Sequence, residues 1–380
     1  MARFDDGSHV GQSSDLSEAV ASLNLSSPEP NLDDQALERP RDVIIQYLTE
    51  NVEEFSRLSV LRKKGWENPA GDTFFRKQRD TADNADEKTR QAFFNMMMGI
   101  AQHLHSHTRA LKIRNPGPGR QRILDMCMAP GGFLSVALEK NPDAHALCFS
   151  LPASQGGHRV LLQPSPNVEL RYMDITMLAE DMGVVGIPAG HPDSDNFVPR
   201  QLQSDDLFHL VFCDGQVLRP HEKFRASYRE QCEARRLTAT QLALGLEHLR
   251  PGGTMIVLLH KVEAWDTVLR LREFSRFSHV RLFKPGRAHA KRSSFYMIAR
   301  NVRSQSAEAL AAIGSWKEVW RAATFDVLEE KPPGHWRAEG PDPHDVIGDF
   351  GDELVRLGTQ VWKIQADALE QSTFIKGYKA

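Results

Sequence analysis

The stretch ILDMCMAPGGF (Ile123–Phe133) carries an apolar run straight into Ala-Pro-Gly-Gly and then into a second apolar segment. This order predicts a buried β-strand that ends at a glycine loop and is followed by a helix. Glycines let a ligand approach the backbone closely, and the start of the following helix offers free N–H groups. The stretch therefore predicts a ligand-binding loop. A simple strand-to-helix turn is the alternative interpretation.

Six further short apolar runs follow, with helical patterns between several of them; the clearest helical pattern is Tyr228–Leu249. Strands that are apolar on both faces and alternate with helices are typical of an α/β domain with a mainly parallel sheet. Only a basic loop separates the last two runs, which favours an antiparallel strand at the end of the sheet. The six runs are HALCFSL, VELRYMD, LFHLVFCD, TMIVLLHK, HVRLFK and SFYMIA.

Composition restricts the class of protein. The net charge of −3 over 380 residues gives no global attraction for nucleic acid, so a polyanion site requires a local basic patch. No apolar run approaches the ~18 residues of a membrane span, and the acidic N-terminal stretch lacks a secretory signal. The four cysteines form no C-x-x-C pair, which favours the cytosol or nucleus over a disulfide scaffold or a metal site.

The pattern along the chain predicts four segments. Residues 1–40 are rich in Ser, Asp, Glu and Pro and are predicted to be a disordered tail. Residues 41–118 carry apolar residues at helical spacing, residues 119–302 form the α/β domain, and residues 303–380 form a helical C-terminal extension. Within the α/β domain, the Gly/Pro/Asp-rich insertion Met182–Asp206 is predicted to be a mobile loop.

The position of the glycine loop supports ligand binding. Ligands of open parallel sheets bind beyond the carboxyl ends of the strands, and this loop follows the first strand directly. The other Pro-Gly-Gly, in RPGGTM (Arg250–Met255), precedes a strand at the opposite edge and is expected to be a plain turn. A nicotinamide or flavin cofactor is disfavoured, because the G-x-G-x-x-G fingerprint and its later acidic residue are absent.

Four motifs in order resemble the FtsJ-like ribose 2′-O-methyltransferase family. A strand ending in Asp125 leads to Ala-Pro-Gly-Gly and an aromatic residue (Ala129–Phe133), and a later strand ends at Asp214 in LVFCDG. The strand after the second Pro-Gly-Gly ends at Lys261, and the segment Lys284–Ala299 matches the Lys-Pro, basic loop and aromatic strand that close the family's domain.

The resemblance implies a Rossmann-like S-adenosylmethionine-dependent methyltransferase fold, with S-adenosylmethionine as cofactor. It implies that Asp214 and Lys261 are catalytic. Asp125 is expected to shape the glycine loop, and a capping role for Asp174 stays as open as a binding role. The residues expected to bind the cofactor are Asp125, Ala129, Pro130, Gly131, Gly132, Phe133, Ser150, Asp174 and Asp214.

The sequence departs from the family pattern at several positions. The family uses a Lys-Asp-Lys-Glu tetrad, but the first Lys position aligns with Asn95 and the Glu position with Ser294. Lys77 and Lys88 are alternatives for the first lysine. Ser150 stands where the family often has an acidic residue that grips the cofactor ribose. These changes bear more on turnover than on cofactor binding.

A local basic stretch predicts contact with RNA. Seven lysines and arginines and no acid lie between Arg281 and Arg303, which is the charge pattern that phosphate contacts require. A solvated surface is the alternative interpretation. The residues predicted to bind RNA are Lys284, Arg287, Lys291 and Arg292.

The main hypothesis is an S-adenosylmethionine-dependent methyltransferase that acts on the ribose of RNA. The alternative is a degenerate methyltransferase-fold module that binds cofactor or RNA without turnover, which the residues at positions 95 and 294 favour. A third hypothesis is the same fold acting on a small molecule or a protein. The C-terminal helices are candidates for covering the pocket or binding a protein partner.

Overall fold

The computed structural model describes residues 39–114, 119–217, 226–326 and 340–376. The predicted disordered tail lies outside the described residues, apart from its last two positions.

Seven strands form one sheet in the order β3-β2-β1-β4-β5-β7-β6. Strands β1 to β5 pair in parallel, and β7 is antiparallel to both β5 and β6. The predicted mainly parallel sheet with an antiparallel strand near its end is confirmed. The strands are β1 (Arg122–Asp125), β2 (His145–Ser150), β3 (Val168–Tyr172), β4 (Phe208–Cys213), β5 (Leu249–His260), β6 (His279–Phe283) and β7 (Ser294–Val302).

The chain adds strands to one side of β1 first and to the other side of β1 afterwards. From β1 the chain builds outward through β2 and β3, then crosses back to place β4 on the other side of β1. In open α/β sheets this switch point leaves a crevice at the carboxyl ends of the strands. The glycine loop that follows β1 therefore lies at the carboxyl edge of the sheet, at the switch point.

Ten helices of the described residues surround the sheet, and two apolar clusters separate its faces. One cluster joins α4 and α5 to one face, and the other joins most of the remaining helices to the opposite face. The helices are α1 (Pro40–Asn51), α2 (Glu53–Trp66), α3 (Pro69–Asp83), α4 (Glu87–Thr108), α5 (Gly132–Lys140), α6 (Glu233–Glu247), α7 (Trp265–Phe277), α8 (Ala307–Phe325), α9 (Pro343–Glu370) and α10 (Thr373–Lys376).

The helical extensions are joined to the sheet domain through the buried carboxylate of Glu263, just after β5. Arg62 of α2 forms an ion pair with it at 2.6 Å, and the indole N–H of Trp362 in α9 donates a hydrogen bond to it at 3.3 Å. Trp362 also packs against Phe55 of α2, with ring centroids 5.3 Å apart. The C-terminal helix α9 therefore packs on the N-terminal helices of its own chain.

The insertion between β3 and β4 is anchored, which makes the prediction of a mobile loop wrong. The Asp181 carboxylate accepts hydrogen bonds from the backbone N–H groups of Gln201 and Leu202. A ring nitrogen of His191 bonds to the carbonyl of Thr324 in α8 at 3.1 Å, and Asp193 pairs with Arg229 at 3.0 Å. Buried polar side chains attach the insertion to the rest of the protein. The Gly/Pro-rich composition of the insertion does not reveal these contacts.

Two helical glycines provide a matched test of packing. A Cβ at Gly132 would lie 2.6 Å from Cβ of Met97 in α4, whereas a Cβ at Gly99 would meet no atom within 4 Å. We expect Gly132→Ala to lower the free energy of unfolding by about 1–3 kcal/mol through overpacking. Gly99→Ala should raise it by about 0.5–1 kcal/mol through helix propensity. Thermal unfolding of both variants checks this, and equal effects would contradict the close α4–α5 contact.

The buried Glu263 carboxylate should stabilise the fold in a pH-dependent way. Burial acts to raise the pKa of Glu263, but the charge of Arg62 and the hydrogen bonds outweigh it and hold the pKa below the ordinary 4.5. A lowered folded-state pKa contributes stability that is fully present above the unfolded pKa and is lost as pH falls through the folded pKa. We expect Glu263→Gln to cost about 3–5 kcal/mol at pH 7, because it leaves the Arg62 charge buried without its partner.

The cost of Glu263→Gln should shrink as the pH drops below about 4.5. Denaturant unfolding across this range measures it. The control is Glu370→Gln, which removes the carboxylate of an exposed pair with Arg57 and should cost about 0–1 kcal/mol. A pH-independent difference for Glu263→Gln would contradict the assignment.

Candidate functional site

Two carboxylates end neighbouring parallel strands at the carboxyl edge. Asp125 is the last residue of β1, and Asp214 directly follows β4. Asp125 is buried, and its Oδ1 accepts a hydrogen bond from the backbone N–H of Cys127 at 3.3 Å. It shapes the turn into the glycine loop, as the sequence predicted.

The electrostatics of this edge are dominated by neighbouring carboxyl groups whose pKa values are raised. Burial and the neighbouring Asp214 carboxylate raise the pKa of Asp125 well above its ordinary value. Burial raises the pKa of Asp214 to about 7. After burial, the charges of Asp214, Asp125 and Asp174 are among the causes that raise the pKa of the Cys127 thiol. Three carboxylates therefore surround the loop after β1, an arrangement that favours a positively charged ligand.

The loop after β4 is clamped by a buried amide. Gln241 of α6 accepts a hydrogen bond from the backbone N–H of Gly215 at 2.9 Å and donates one to its carbonyl at 3.2 Å. A Cβ at Gly215 would overlap the side chain of Cys127. The loops after β1 and β4 are therefore in contact, and this contact fixes the backbone beside Asp214.

The paired glycines make room for neighbouring parts of the protein, and their role in cofactor binding stays a prediction. Gly131 has a φ of 103°, and a Cβ there would lie 2.9 Å from Cβ of Leu162. The missing side chain of Gly132 faces α4. The carbonyl of Pro130 accepts a hydrogen bond from the backbone N–H of Leu161 at 3.0 Å. The segment after β2 thus lies against the glycine loop, and Ala129 and Pro130 remain partly exposed beside it.

An unpartnered hydroxyl group lies close to the carboxylates. Tyr296 of β7 packs against Phe133, with ring centroids 5.1 Å apart. Its side chain is 1% exposed, and its Oη has no hydrogen-bond partner among the described residues. Burial and the nearby Asp214 carboxylate raise the pKa of Tyr296 well above its ordinary value. Sequence reasoning did not single out Tyr296 as a site residue, because aromatic strand residues are commonly core.

Two other predicted cofactor residues lie at the same edge. Ser150 is the last residue of β2 and is buried. The Asp174 carboxylate follows β3, accepts hydrogen bonds from the N–H and hydroxyl of Thr176, and lies 3.5 Å from Arg229. Asp174 therefore has the capping role that the sequence left open, in addition to its place beside Cys127.

The structure does not bring Lys261 and Asp214 together. The register pairs Cys213 with Val257, so Leu258 is the β5 residue alongside Asp214 and Lys261 lies three residues further on. Burial lowers the pKa of Lys261; the charges that act on it are those of Glu263, Arg62 and Arg41. Among the described residues, no ion pair joins Lys261 to Asp214. The extension helices thus surround the lysine.

The other departures from the family tetrad also have defined places. Asn95 is exposed on α4, and its Oδ1 accepts a hydrogen bond from Gln91 at 3.1 Å. Ser294 begins β7 and is buried, opposite His260 of β5. Leu258, Asn95 and Ser294 therefore give the edge around Asp214 no cation or second tetrad carboxylate.

Much of the predicted RNA-binding set is engaged inside the protein. The ammonium of Lys284 is 3% exposed and donates hydrogen bonds to the carbonyls of His289, Arg292 and Ser294. Arg292 is 6% exposed and donates a hydrogen bond to Gln78 at 2.7 Å.

The remaining two members of that set lie nearer to solvent. Lys291 is partly exposed over the ring of Phe74, 4.8 Å from its centroid, and Arg287 is exposed. The basic loop is therefore largely a structural element that uses two of its cations to hold its own backbone and α3. A run of basic residues in the sequence does not reveal such internal hydrogen bonds.

The polar side chains at the carboxyl edge of the sheet fit S-adenosylmethionine. Its sulfonium and ammonium are cationic, and the three carboxylates near Cys127 provide the complementary charge. The orphaned hydroxyl of Tyr296 shows that the edge carries a buried polar atom that needs a partner. Asp125 and Asp214 are the residues that would face the cations, and Asp174, which also pairs with Arg229, lies beside them. Ser150 would offer the ribose a hydroxyl group and no carboxylate.

Comparison with known proteins gives a family and distant relatives. The model of the FtsJ-like methyltransferase family matches residues 102–302. A curated relative, ribosomal RNA small subunit methyltransferase B of Klebsiella pneumoniae, is 26% identical over 143 residues, which is 36% of this chain and 29% of the relative. The same protein of a second Klebsiella pneumoniae strain is 25% identical over 143 residues. The chain thus spans less than a third of the length of the curated relatives it matches.

Solved structures with some similarity are also methyltransferases. The N-methyltransferase NodS from Bradyrhizobium japonicum WM9 is 13% identical, with a TM-score of 0.31 over 53% of this chain and 96% of that one. Human methyltransferase-like protein 13 in complex with SAH is 13% identical, with a TM-score of 0.32 over 64% of this chain and 97% of that one.

Within the described ranges, no helix combines the length and the apolar character needed to cross a bilayer.

The raised pKa of Asp214 means that this residue lowers the free energy of unfolding at neutral and alkaline pH. Between its ordinary 3.8 and about 7 the folded protein binds more protons than the unfolded chain, so the free energy of unfolding falls as pH rises through that window. We expect Asp214→Asn to stabilise the protein at pH 8 by on the order of 2 kcal/mol. The effect should vanish near pH 4. Asp143→Asn, at an exposed position on the opposite edge, is the control. Destabilisation by Asp214→Asn at pH 8 would contradict the half-buried, uncompensated carboxylate.

Proposed function

Since the chain belongs to the FtsJ-like methyltransferase family, which its match over more than half of the sequence shows, we propose that it methylates the ribose 2′-hydroxyl of RNA. S-adenosylmethionine is the methyl donor of that family. The observation that carries the proposal is the carboxyl group of Asp214, half-buried at the carboxyl end of β4 beside Asp125 and Tyr296. A cationic cofactor bound beside this carboxyl group would supply the countercharge that it lacks.

Two further observations support RNA as the substrate. The curated relatives bear the name of ribosomal RNA methyltransferases, although they are similar over only part of their length. Arg287 is exposed on the loop before β7, and this loop leads into Ser294 at the carboxyl edge. A solvent-facing guanidinium at that edge suits a phosphate group.

The residues at the carboxyl edge have different roles in the proposed reaction. Bound S-adenosylmethionine supplies an electrophilic methyl group on a positively charged sulfur. The Asp214 carboxylate favours that positive charge, and Gln241 holds the backbone beside it in place. Holding the acceptor oxygen near the methyl group supplies much of the acceleration of such a displacement.

Lys261 as a catalytic base stays a prediction. Its lowered pKa suits proton acceptance, but its charged neighbours are Glu263, just after β5, and Arg62 and Arg41 of the extension helices. Lys261→Ala tests the role directly. Loss of methyl transfer with intact cofactor affinity would support it, and retained transfer would remove Lys261 from the catalytic set.

A degenerate module that binds cofactor or RNA without turnover is the second candidate. It is favoured by Asn95 and Ser294 at two of the tetrad positions, and by the apolar Leu258 beside Asp214. We also propose a cytosolic or nuclear location, which the four free cysteines support.

Transfer of labelled methyl groups to total RNA tests the proposed function. We expect incorporation that appears as 2′-O-methylnucleosides after digestion, and a loss of at least about 10²-fold in Asp214→Asn, because an electrostatic group at the reacting centre is removed. Asp143→Asn is the matched control. Calorimetric binding of S-adenosylmethionine without transfer to any RNA would select the degenerate module, and absence of both would refute the proposal.

A further inference from the structure

Two buried hydroxyl groups of β7 have no hydrogen-bond partner among the described residues. Ser294 Oγ and Tyr296 Oη belong to side chains that are each 1% exposed. Residues two positions apart on a strand share one face of the sheet. An unmade hydrogen bond of a buried group is costly, so such groups call for an explanation.

The neighbouring strand places an imidazole on the same face. Ser294 pairs with His260 and Tyr296 pairs with Leu258 across β5 and β7. One ring nitrogen of His260, Nε2, lies 3.1 Å from Oε1 of Gln216, two residues beyond Asp214. The set of His260, Ser294 and Tyr296, here called the β5–β7 polar set, therefore adjoins the loop of Asp214.

The surroundings of His260 keep its ring neutral. Burial, together with the charges of Lys284, Lys261 and Arg292, lowers the pKa of His260 to about 4. Near pH 7 the ring then donates from one nitrogen and accepts at the other. Donation from Nε2 to Gln216 leaves Nδ1 as the acceptor, with no hydrogen bond to any described residue.

The chemistry of the β5–β7 polar set matches a hydroxyl group. An imidazole acceptor and two hydroxyl groups offer both accepting and donating atoms and carry no charge. A ribose 2′-hydroxyl is itself both donor and acceptor. Leu258, which pairs with Tyr296, contributes an apolar wall beside these groups.

We propose that His260, Ser294 and Tyr296 bind the acceptor hydroxyl group of the substrate, with Gln216 as the positioning residue that orients the imidazole. This inference rests on the proposed function, in which that hydroxyl belongs to RNA. It assigns acceptor recognition to a neutral set in place of a cationic one. A buried water molecule that satisfies the two hydroxyl groups is the competing explanation.

A pair of serine variants separates the two explanations. Ser294→Ala removes one hydroxyl of the set. Ser304→Ala removes another buried, unpartnered serine hydroxyl, 0% exposed, which lies beyond the other end of β7. We expect Ser294→Ala to raise the KM for total RNA by about tenfold and to leave the calorimetric affinity for S-adenosylmethionine unchanged. Ser304→Ala should leave both constants unchanged.

Nitrogen-15 NMR of the histidine rings gives a readout that does not depend on turnover. Saturating RNA should shift the Nδ1 signal of His260, assigned with His260→Gln, and Gln216→Ala should reduce that shift. If RNA does not shift the Nδ1 signal of His260, or if Ser294→Ala and Ser304→Ala have equal KM values, the proposed role of the β5–β7 polar set is overturned. RNA methylation itself would be unaffected by either result. Wild-type protein that neither binds nor methylates RNA would refute the proposed function and, with it, this role of the set.

Discussion

The two neighbouring carboxyl groups that lie without a cation beside them at the carboxyl edge of the sheet are the constraint on which the site depends. Asp125 and Asp214 end neighbouring strands. Asp125 is buried and Asp214 is half-buried, and neither carboxyl group forms an ion pair among the described residues. Such an arrangement is costly for a fold in isolation. It becomes favourable when a positively charged ligand binds, because the ligand supplies the missing countercharge. A cofactor with a sulfonium group meets that requirement.

Among the described residues no cation pairs with Asp125 or Asp214, although Arg229 pairs with Asp174 at the same edge. Lys261 continues the strand next to Asp214, yet the charges around it belong to Glu263, Arg62 and Arg41. Lys284 is buried under carbonyl groups of its own loop. The positive charge near the sheet thus serves to attach the helical extensions and to shape the loop before β7. The acceptor side is left with neutral hydrogen-bonding groups.

The sequence predicted the sheet, the antiparallel strand and the carboxyl-edge position of Asp125, Asp174 and Asp214, because each follows from local patterns of apolar residues. It failed where long-range packing decides. The role of Gly132 depends on α4, which lies more than twenty residues earlier in the chain. The separation of Lys261 from Asp214 depends on strand register and on contacts with α2. Neither the packing of α4 against Gly132 nor the position of Lys261 leaves a signal in the local sequence. The pairing of His260 with Ser294 follows from the register of β5 and β7.

The most direct test of the account is the titration of the aspartate side chains by carbon-13 NMR, with signals assigned through Asp214→Asn. Without cofactor, the account predicts a pKa of about 7 for Asp214 and a raised pKa for Asp125. Saturating S-adenosylmethionine should lower both, because its positive charge favours the carboxylates. Ordinary pKa values in the free protein that do not change with the cofactor would contradict the central claim.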